Sequence, residues 1–517
     1  MSSGGVVAAG HPVTAEAGAT AMRAGGNAVD GALAAVMTSF VCESPLTGMG
    51  AGGHLLVHGF GADTLLDFFV EVPGRDGTKR AAELVDAQVW FTERVPQSFR
   101  VGAVSCGVPG VPAGLAEAAR RWGSVPLAEL AAPAASLARE GVAVNAEQAY
   151  FNRILGPILT LEPEGDALYK PGGTTHPAGA LFRFPELGDA LELLGAEGAA
   201  PFYEGEVARR LSDWVLERGG TLGLDDLRAY EPVAREPIRA RYRGREVLTN
   251  PPPSSGGTLI AFALAVLERL GRSDLETVVR VMAAAQAART TEFVDGLGRP
   301  GFAAGFLDPA RIDESARRIG AGGPLLEGDA LPADALGSTT HVTAVDVEGR
   351  CASVTCSNGS GSGVIVPGTG IHLNNMLGEH DLNPHGFHLL PPGTRIPSMM
   401  SPSIVVGDSG LELGLGSGGS NRIRSAILQV ILRVIDDGLD LADAVRHPRV
   451  HFEQGEIQAE PGVDERALER LEADGAKVER WPAPNVFFGG VHAVARDPDG
   501  LARAAGDPRR GGAVAEA

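Results

Sequence analysis

Apolar and polar positions change their spacing along this chain. Residues 14–41 carry apolar positions at helical spacing, broken at Gly25-Gly26-Asn27 and restarting through Ala28-Val29-Asp30. Two stacked helices or one kinked helix both satisfy that pattern. The Gly-rich turn Gly48-Met49-Gly50-Ala51-Gly52-Gly53 then leads into strand-like stretches at 54–59 and 65–72. From Val108-Pro109-Gly110 to about residue 270 the spacing is mainly helical, at 111–117, 126–140, 186–194, 205–218 and 258–270. Asp225 and Asp226 suit a helix N-cap and first turn, and 238–248 alternates as one strand. A further helix is expected at 275–294, and no internal repeat is visible. Beyond residue 339 the chain turns strand-rich. Alternation at 341–346 and 352–356 flanks a turn at Val347-Glu348-Gly349, and more strands are expected at 363–366, 403–406, 411–415 and 486–496. Helices at 421–437, 441–446 and 465–472 complete a layered α/β pattern with helices flanking sheets.

Composition narrows this picture. The 517 residues are 44% hydrophobic, enough for a large core, and 71 glycines with 5% aromatics predict tight turns and close backbone packing. The net charge of −20, without any Lys/Arg-rich run, removes the electrostatic footprint of a nucleic-acid binder and disfavours a polyanionic substrate. No apolar run reaches membrane-spanning length, and the first residues lack a secretory pattern, so a cytoplasmic protein without membrane contact is expected. Four cysteines without a CxxC, no HExxH and no His/Cys cluster give no reason to expect a metal or another cofactor. The Gly48 to Gly53 turn precedes a strand rather than opening a helix, which speaks for close backbone approach and against a phosphate cradle.

The chemistry centres on Gly337-Ser338-Thr339-Thr340-His341, which follows a polar loop at 325–336 and runs into the alternating segment. A threonine at the head of a strand, behind such a loop, is where an N-terminal nucleophile sits if the chain is cut before Thr339. Further segments belong with it: Gly25 to Asp30, Val108-Pro109-Gly110, Pro251 to Gly257, Asn374-Asn375, Met400-Ser401-Pro402, Gly416-Ser417-Gly418-Gly419-Ser420 and Asp507-Pro508-Arg509-Arg510. In order and spacing, over nearly the whole length, these resemble the γ-glutamyltranspeptidase family of N-terminal-nucleophile hydrolases.

That resemblance implies a four-layer αββα sandwich. It also implies a precursor that cuts itself between Ser338 and Thr339 into a large-subunit region, 1–338, and a small-subunit region, 339–517, which stay associated as one unit. Thr339 is then the nucleophile, and its freed α-amine, with an intrinsic pKa of about 7.7–8.0, serves as the base. Ser357 stands where the family has a hydroxyl bonded to the nucleophile, and Gly418 and Gly419 match the oxyanion-hole glycines. His341 is expected to be a structural hydrogen-bonding histidine. Asn358, Asn375, Glu379 and Ser398 match substrate-binding positions, with Asn358 displaced by one from the family's asparagine. The chain departs from the pattern where substrate is named. Phe69 replaces an arginine that grips a carboxylate, Glu379 replaces a shorter acid, Met399 replaces a serine, and the segment from 379 to 398 is short for a lid. The implied activity is amide cleavage through a threonine acyl-enzyme, with a small-molecule γ-glutamyl or related amide as donor and water or an amine as acceptor. An acylase acting on a non-γ-glutamyl amide and a non-catalytic family member are the alternatives.

Overall fold

The computed structural model describes residues 4–92, 95–322, 325 and 338–517. The expected loop at 325–336 and Gly337 therefore lie outside the described residues, apart from Leu325.

Two antiparallel sheets face each other. The first has seven strands in the spatial order Ala513–Glu516, Val6–Ala9, Ser338–Val345, Cys351–Gly359, Gly52–His58, Thr64–Phe68 and Val233–Arg235. The second has six, in the order Ala502–Ala505, Gly490–Arg496, Gly410–Gly418, Ser403–Gly407, Arg245–Thr249 and Ile238–Tyr242. A layer of small and branched side chains, including Ala8, Leu56, Leu248, Ile404 and Val494, fills the space between them. The outer face of the first sheet is covered by Pro12–Arg23, Ala28–Cys42 and the helices of residues 111–217. Ser255–Leu270, Leu275–Ala287 and Arg422–Ile435 cover the outer face of the second. The result is the expected four-layer αββα sandwich: each sheet buries one face on the other and the opposite face under helices.

Local chemistry explains the boundaries. Pro12–Arg23 and Ala28–Cys42 are two separate helices, because Asn27 caps the second with a reciprocal box to Asp30. All fifteen residues of Ala28–Cys42 are buried, since both flanks of that helix are covered. Two expectations need correction. The alternating stretch 238–248 is a hairpin, Ile238–Tyr242 paired with Arg245–Thr249, turning at Arg243 and Gly244, which both have positive φ. The helix expected over 275–294 stops at Ala287, and a second, Thr291–Gly296, starts from a Thr290 cap. Three strand expectations also shrink: 65–72 ends at Phe68, 363–366 leaves only Ile365–Val366, and 486–496 begins with a 3-10 turn.

Candidate active site

Thr339 lies inside a strand in the intact chain, not at its head, because pairing extends back through Ser338. The two faces of Ser338–Val345 differ sharply. Thr339, His341 and Thr343 pair with Ser357, Thr355 and Ser353 and form a buried polar strip between the sheets. Val342 and Ala344 point the other way, into the apolar core under the helices. Within the strip His341 bonds Thr355 Oγ1 through Nδ1 and Thr343 Oγ1 through Nε2, both at 2.8 Å. Burial holds its pKa well below the usual imidazole value, so it is a neutral structural residue, as expected.

Register breaks at one place. Ser338 pairs with Gly359 and Thr339 with Ser357, so Asn358 is the extra residue of a bulge opposite the Ser338–Thr339 bond. The bulge brings three oxygens together. Thr339 Oγ1 donates to Ser357 Oγ at 3.1 Å, and Ser357 Oγ donates to the Ser338 carbonyl oxygen at 2.6 Å. The Thr339 carbonyl accepts from Arg510 Nη1 at 3.1 Å and lies so close to Gly418 that a Cβ there would come within 2.3 Å of it. On the opposite face Thr340 Oγ1 donates to Glu43, which also accepts from Thr14 Oγ1 at 3.1 Å. Burial raises the Glu43 carboxyl to about 7.

Thr339 and Ser357 open onto a pocket of about 320 Å³. Its apolar wall is Phe69, Met376, Leu382, Met399, Met400 and Ile423; its polar groups are Glu379, Asp381, Ser398 and Ser420. Glu379 Oε1 and Asn375 Oδ1 both accept from the Ser360 N–H, at 3.0 and 2.8 Å, while Asn375 Nδ2 donates to Ser360 Oγ at 2.6 Å. Gly359, at φ +73°, permits this approach: a Cβ there would sit 2.1 Å from Asn375 Oδ1. Burial first, and the neighbouring Asp381 second, push the Glu379 carboxyl upward. Asp381 is raised by burial and held back by Arg289. Residues 398–400 are pinned from behind, where Ser254 Oγ and the Ser255 N–H donate to the Ser398 carbonyl at 2.7 and 2.8 Å. That is the structural use of the Pro251 to Gly257 motif.

The pocket thus gathers Thr339, Ser357, Glu379 and Ser398, together with the departures Phe69 and Met399. Asn375 supports Glu379 from outside its lining. Asn358 does not reach the pocket: as the bulge residue it is displaced from the pairing, and its fully buried amide lies near Gly48. The turn after Gly410–Gly418 is also shifted by one residue from expectation. Gly418 is still a strand residue paired with Gly490, whereas Gly419 and Ser420 have the positive φ of the turn, +128° and +52°, and Ser420 lines the pocket. Asp381 and Ser420 were missed from sequence, although the spacing Glu379-His380-Asp381 in a Gly/Asn-rich loop was a usable signal. The arginine nearest Phe69 is Arg395, whose guanidinium donates to the Phe69 carbonyl at 2.7 Å and pairs with Glu71 at 3.0 Å rather than entering the pocket.

Known proteins are similar to this chain in sequence and in architecture. The family described as Gamma-glutamyltranspeptidase matches residues 14–517. The "Acylase ACY 1 proenzyme" of Pseudomonas sp. (strain V22) is 33% identical over 511 residues, covering 96% of this chain and 91% of that protein. The "Glutathione hydrolase proenzyme" of Bacillus subtilis (strain 168) is 30% identical over 542 residues, covering 99% and 91%. The crystal structure of a cephalosporin acylase from Bacillus halodurans superposes with a TM-score of 0.84 at 25% identity, covering 99% of this chain and 95% of that one.

Proposed function

Since the chain belongs to the gamma-glutamyltranspeptidase family, we propose that it is a proenzyme that cuts itself between Ser338 and Thr339 and then cleaves amides through a Thr339 ester. The observation that carries this reading is the oxygen trio at the bulge: Thr339 Oγ1 at 3.1 Å from Ser357 Oγ, which lies 2.6 Å from the Ser338 carbonyl oxygen.

In the intact chain Thr339 Oγ attacks the Ser338 carbonyl carbon. The Ser357 hydroxyl, already donating to that carbonyl oxygen, stabilises the charge that grows on it. The C–N bond breaks, the Thr339 nitrogen takes up the hydroxyl proton, and the Ser338 acyl group passes to Oγ as an ester. Water opens the ester, leaving a Ser338 carboxylate and a Thr339 bearing both hydroxyl and free amine. The regions 1–338 and 339–517 are then the two subunits. In turnover the α-amine accepts the hydroxyl proton as Oγ attacks a donor amide, and passes it to the departing amine. Water or an amine acceptor releases the acyl group from Thr339. We assign the oxyanion donors to the backbone N–H groups of Gly419 and Ser420, at the turn beside Thr339, rather than to Gly418 and Gly419. With Phe69 in its wall and the nearby Arg395 committed elsewhere, the pocket favours acylase-type donors over γ-glutamyl compounds.

The test is incubation of purified full-length protein followed by denaturing electrophoresis and mass measurement. Two fragments separated at Ser338/Thr339 are expected, and a single chain for Thr339→Ala. A wild-type chain that stays whole after long incubation, indistinguishable from Thr339→Ala, overturns the reading.

A further inference from the structure

A second pocket, of about 320 Å³, lies in the helical layer outside the six-stranded sheet and shares no lining residue with the pocket beside Thr339. Its walls come from Ser255–Leu270, Leu275–Ala287, Arg422–Ile435 and the strand Val450–Glu453. They are mostly apolar, with Leu259, Ala263, Met282, Leu428 and Phe452. Its polar groups are Arg424 and Ser425, the two residues that follow Ile423 of the Thr339 pocket.

Arg424 is only 8% exposed, and no carboxylate among the described residues stands within ion-pair distance of it. Its Nη2 donates to Gln286 Oε1 at 2.8 Å. Its Nε is buried without a hydrogen-bond partner among the described residues, and so is Gln286 Nε2. Burial pulls the guanidinium down to about 10, so it stays charged near neutral pH. Glu453 and Asp381 favour that charge from further away, while Arg289 and Arg422 oppose it. A buried cation without a paired anion, beside a second unmet donor, is costly.

Ser425 does not add a third free donor. Burial works to raise the Glu453 carboxyl, but His451, Arg422 and Arg424 bring it below its ordinary value, so it is an acceptor. His451 Nε2 therefore carries the proton it donates to Glu453 Oε2 at 3.2 Å, and His451 Nδ1 accepts from Ser425 Oγ at 2.7 Å. What the pocket lacks is an anionic acceptor, and what surrounds that gap is hydrocarbon.

We propose that this pocket is a binding site for a short aliphatic carboxylate, its oxygens taking the free donors of Arg424 and Gln286 and its chain lying among Leu259, Met282, Leu428 and Phe452. A guanidinium matches a carboxylate in charge and in the spacing of its N–H groups. An ammonium would face that guanidinium, a neutral amide would leave its charge unpaired, and an inorganic anion would leave the apolar walls uncovered.

The experiment titrates full-length protein calorimetrically with butyrate, butyramide, butylamine and sodium chloride. Butyrate is expected to bind about tenfold tighter than each of the others, the scale of one hydrogen bond to a charged group. Butyramide, butylamine or chloride binding as tightly as butyrate overturns the proposal. The place of binding is read by irradiating the protein with 4,4-azipentanoate, a short carboxylate carrying a photoreactive diazirine, and sequencing the labelled peptides by mass spectrometry. Label within 259–263, 282–285 or 424–428, removed by excess butyrate, is expected; label confined to Phe69, Met376, Met399 or Met400 overturns the assignment. Arg424→Met keeps the bulk and removes the charge, and should weaken butyrate about tenfold while leaving butyramide unchanged. Unchanged butyrate binding to that variant overturns the proposal, and should the variant melt early, the wild-type titrations and labelling decide alone.

Discussion

The corner around Thr339 and the wall across the pocket from it are built by different means. Thr339, Ser357 and the Ser338 carbonyl are fixed by strand register: Ser357 is paired on both sides, with Thr339 and with Gly52, and one bulge sets its spacing to the Ser338 carbonyl. Phe69, Glu379, Asp381 and Met399 sit on connections just outside regular strands, held by individual hydrogen bonds such as Ser254 to Ser398 and Ser360 to Glu379. Changing a residue in the first set displaces a reacting atom. Changing one in the second alters what fits while leaving the backbone in place. A chain can therefore keep its reactive corner while its recognition wall departs from the pattern of its relatives.

Substitutions on each side test that division, the largest effect first. Ser357→Ala removes the hydroxyl between nucleophile and scissile carbonyl. Self-cleavage should slow by about 10²–10³-fold, the scale of losing one preorganised donor, followed as fragment appearance by mass spectrometry. A rate within threefold of wild type would mean that register alone carries the corner. Phe69→Arg puts a cation into the wall. The ratio of glutaryl to butyryl turnover should rise roughly tenfold, equivalent to about 1.4 kcal/mol, while self-cleavage stays within about twofold; loss of self-cleavage would show that the two regions are not separable.

Glu43 tests the back of the same strand. Its carboxyl is raised to about 7 from an ordinary 4.5, so the folded state holds the proton more tightly than the unfolded chain. The stability this contributes is complete below about pH 4.5 and is lost as pH rises through about 7. Glu43→Gln should flatten the fall in thermal midpoint between pH 5 and 8, a difference of about 1–3 kcal/mol. Parallel pH profiles for the two proteins would remove Glu43 as the cause. Asn358→Ala should have the smallest effect, under about threefold on kcat/KM for any donor, because its side chain lies off the pocket.

The layering was legible in the sequence because long apolar faces at helical spacing, such as 258–270, and alternation at 341–346 each impose one period. The grouping of Thr339 with Ser357 was legible through the resemblance to the family, and the structure brings their hydroxyls to 3.1 Å. What escaped were features decided by one residue or by tertiary closure. The hairpin at Arg243-Gly244 hides inside an unbroken alternation, since a two-residue turn keeps the period. The bulge at Asn358 leaves no compositional mark, so the resemblance assigned that asparagine to substrate binding although its side chain lies off the pocket. Asp381 becomes a pocket residue only once the loop after Asn375 folds back over Met376, whose carbonyl accepts from Asn383 Nδ2 at 2.8 Å. Val6–Ala9 is too short to announce itself and gains its meaning from its neighbours on both sides.

That short strand also decides what a cut at Ser338/Thr339 does to the molecule as a mechanical object. Val6–Ala9, from before the cut, lies between Ala513–Glu516 and Ser338–Val345, almost wholly from after it, and Arg245–Thr249 of the first region is stitched to Ser403–Gly407 of the second in the other sheet. Two pieces woven in this way would have to unzip both sheets to separate, so the proposed cut would change the connectivity of the chain more than its shape. Thr339 would then be held by its pairing with Ser357 rather than by the bond to Ser338.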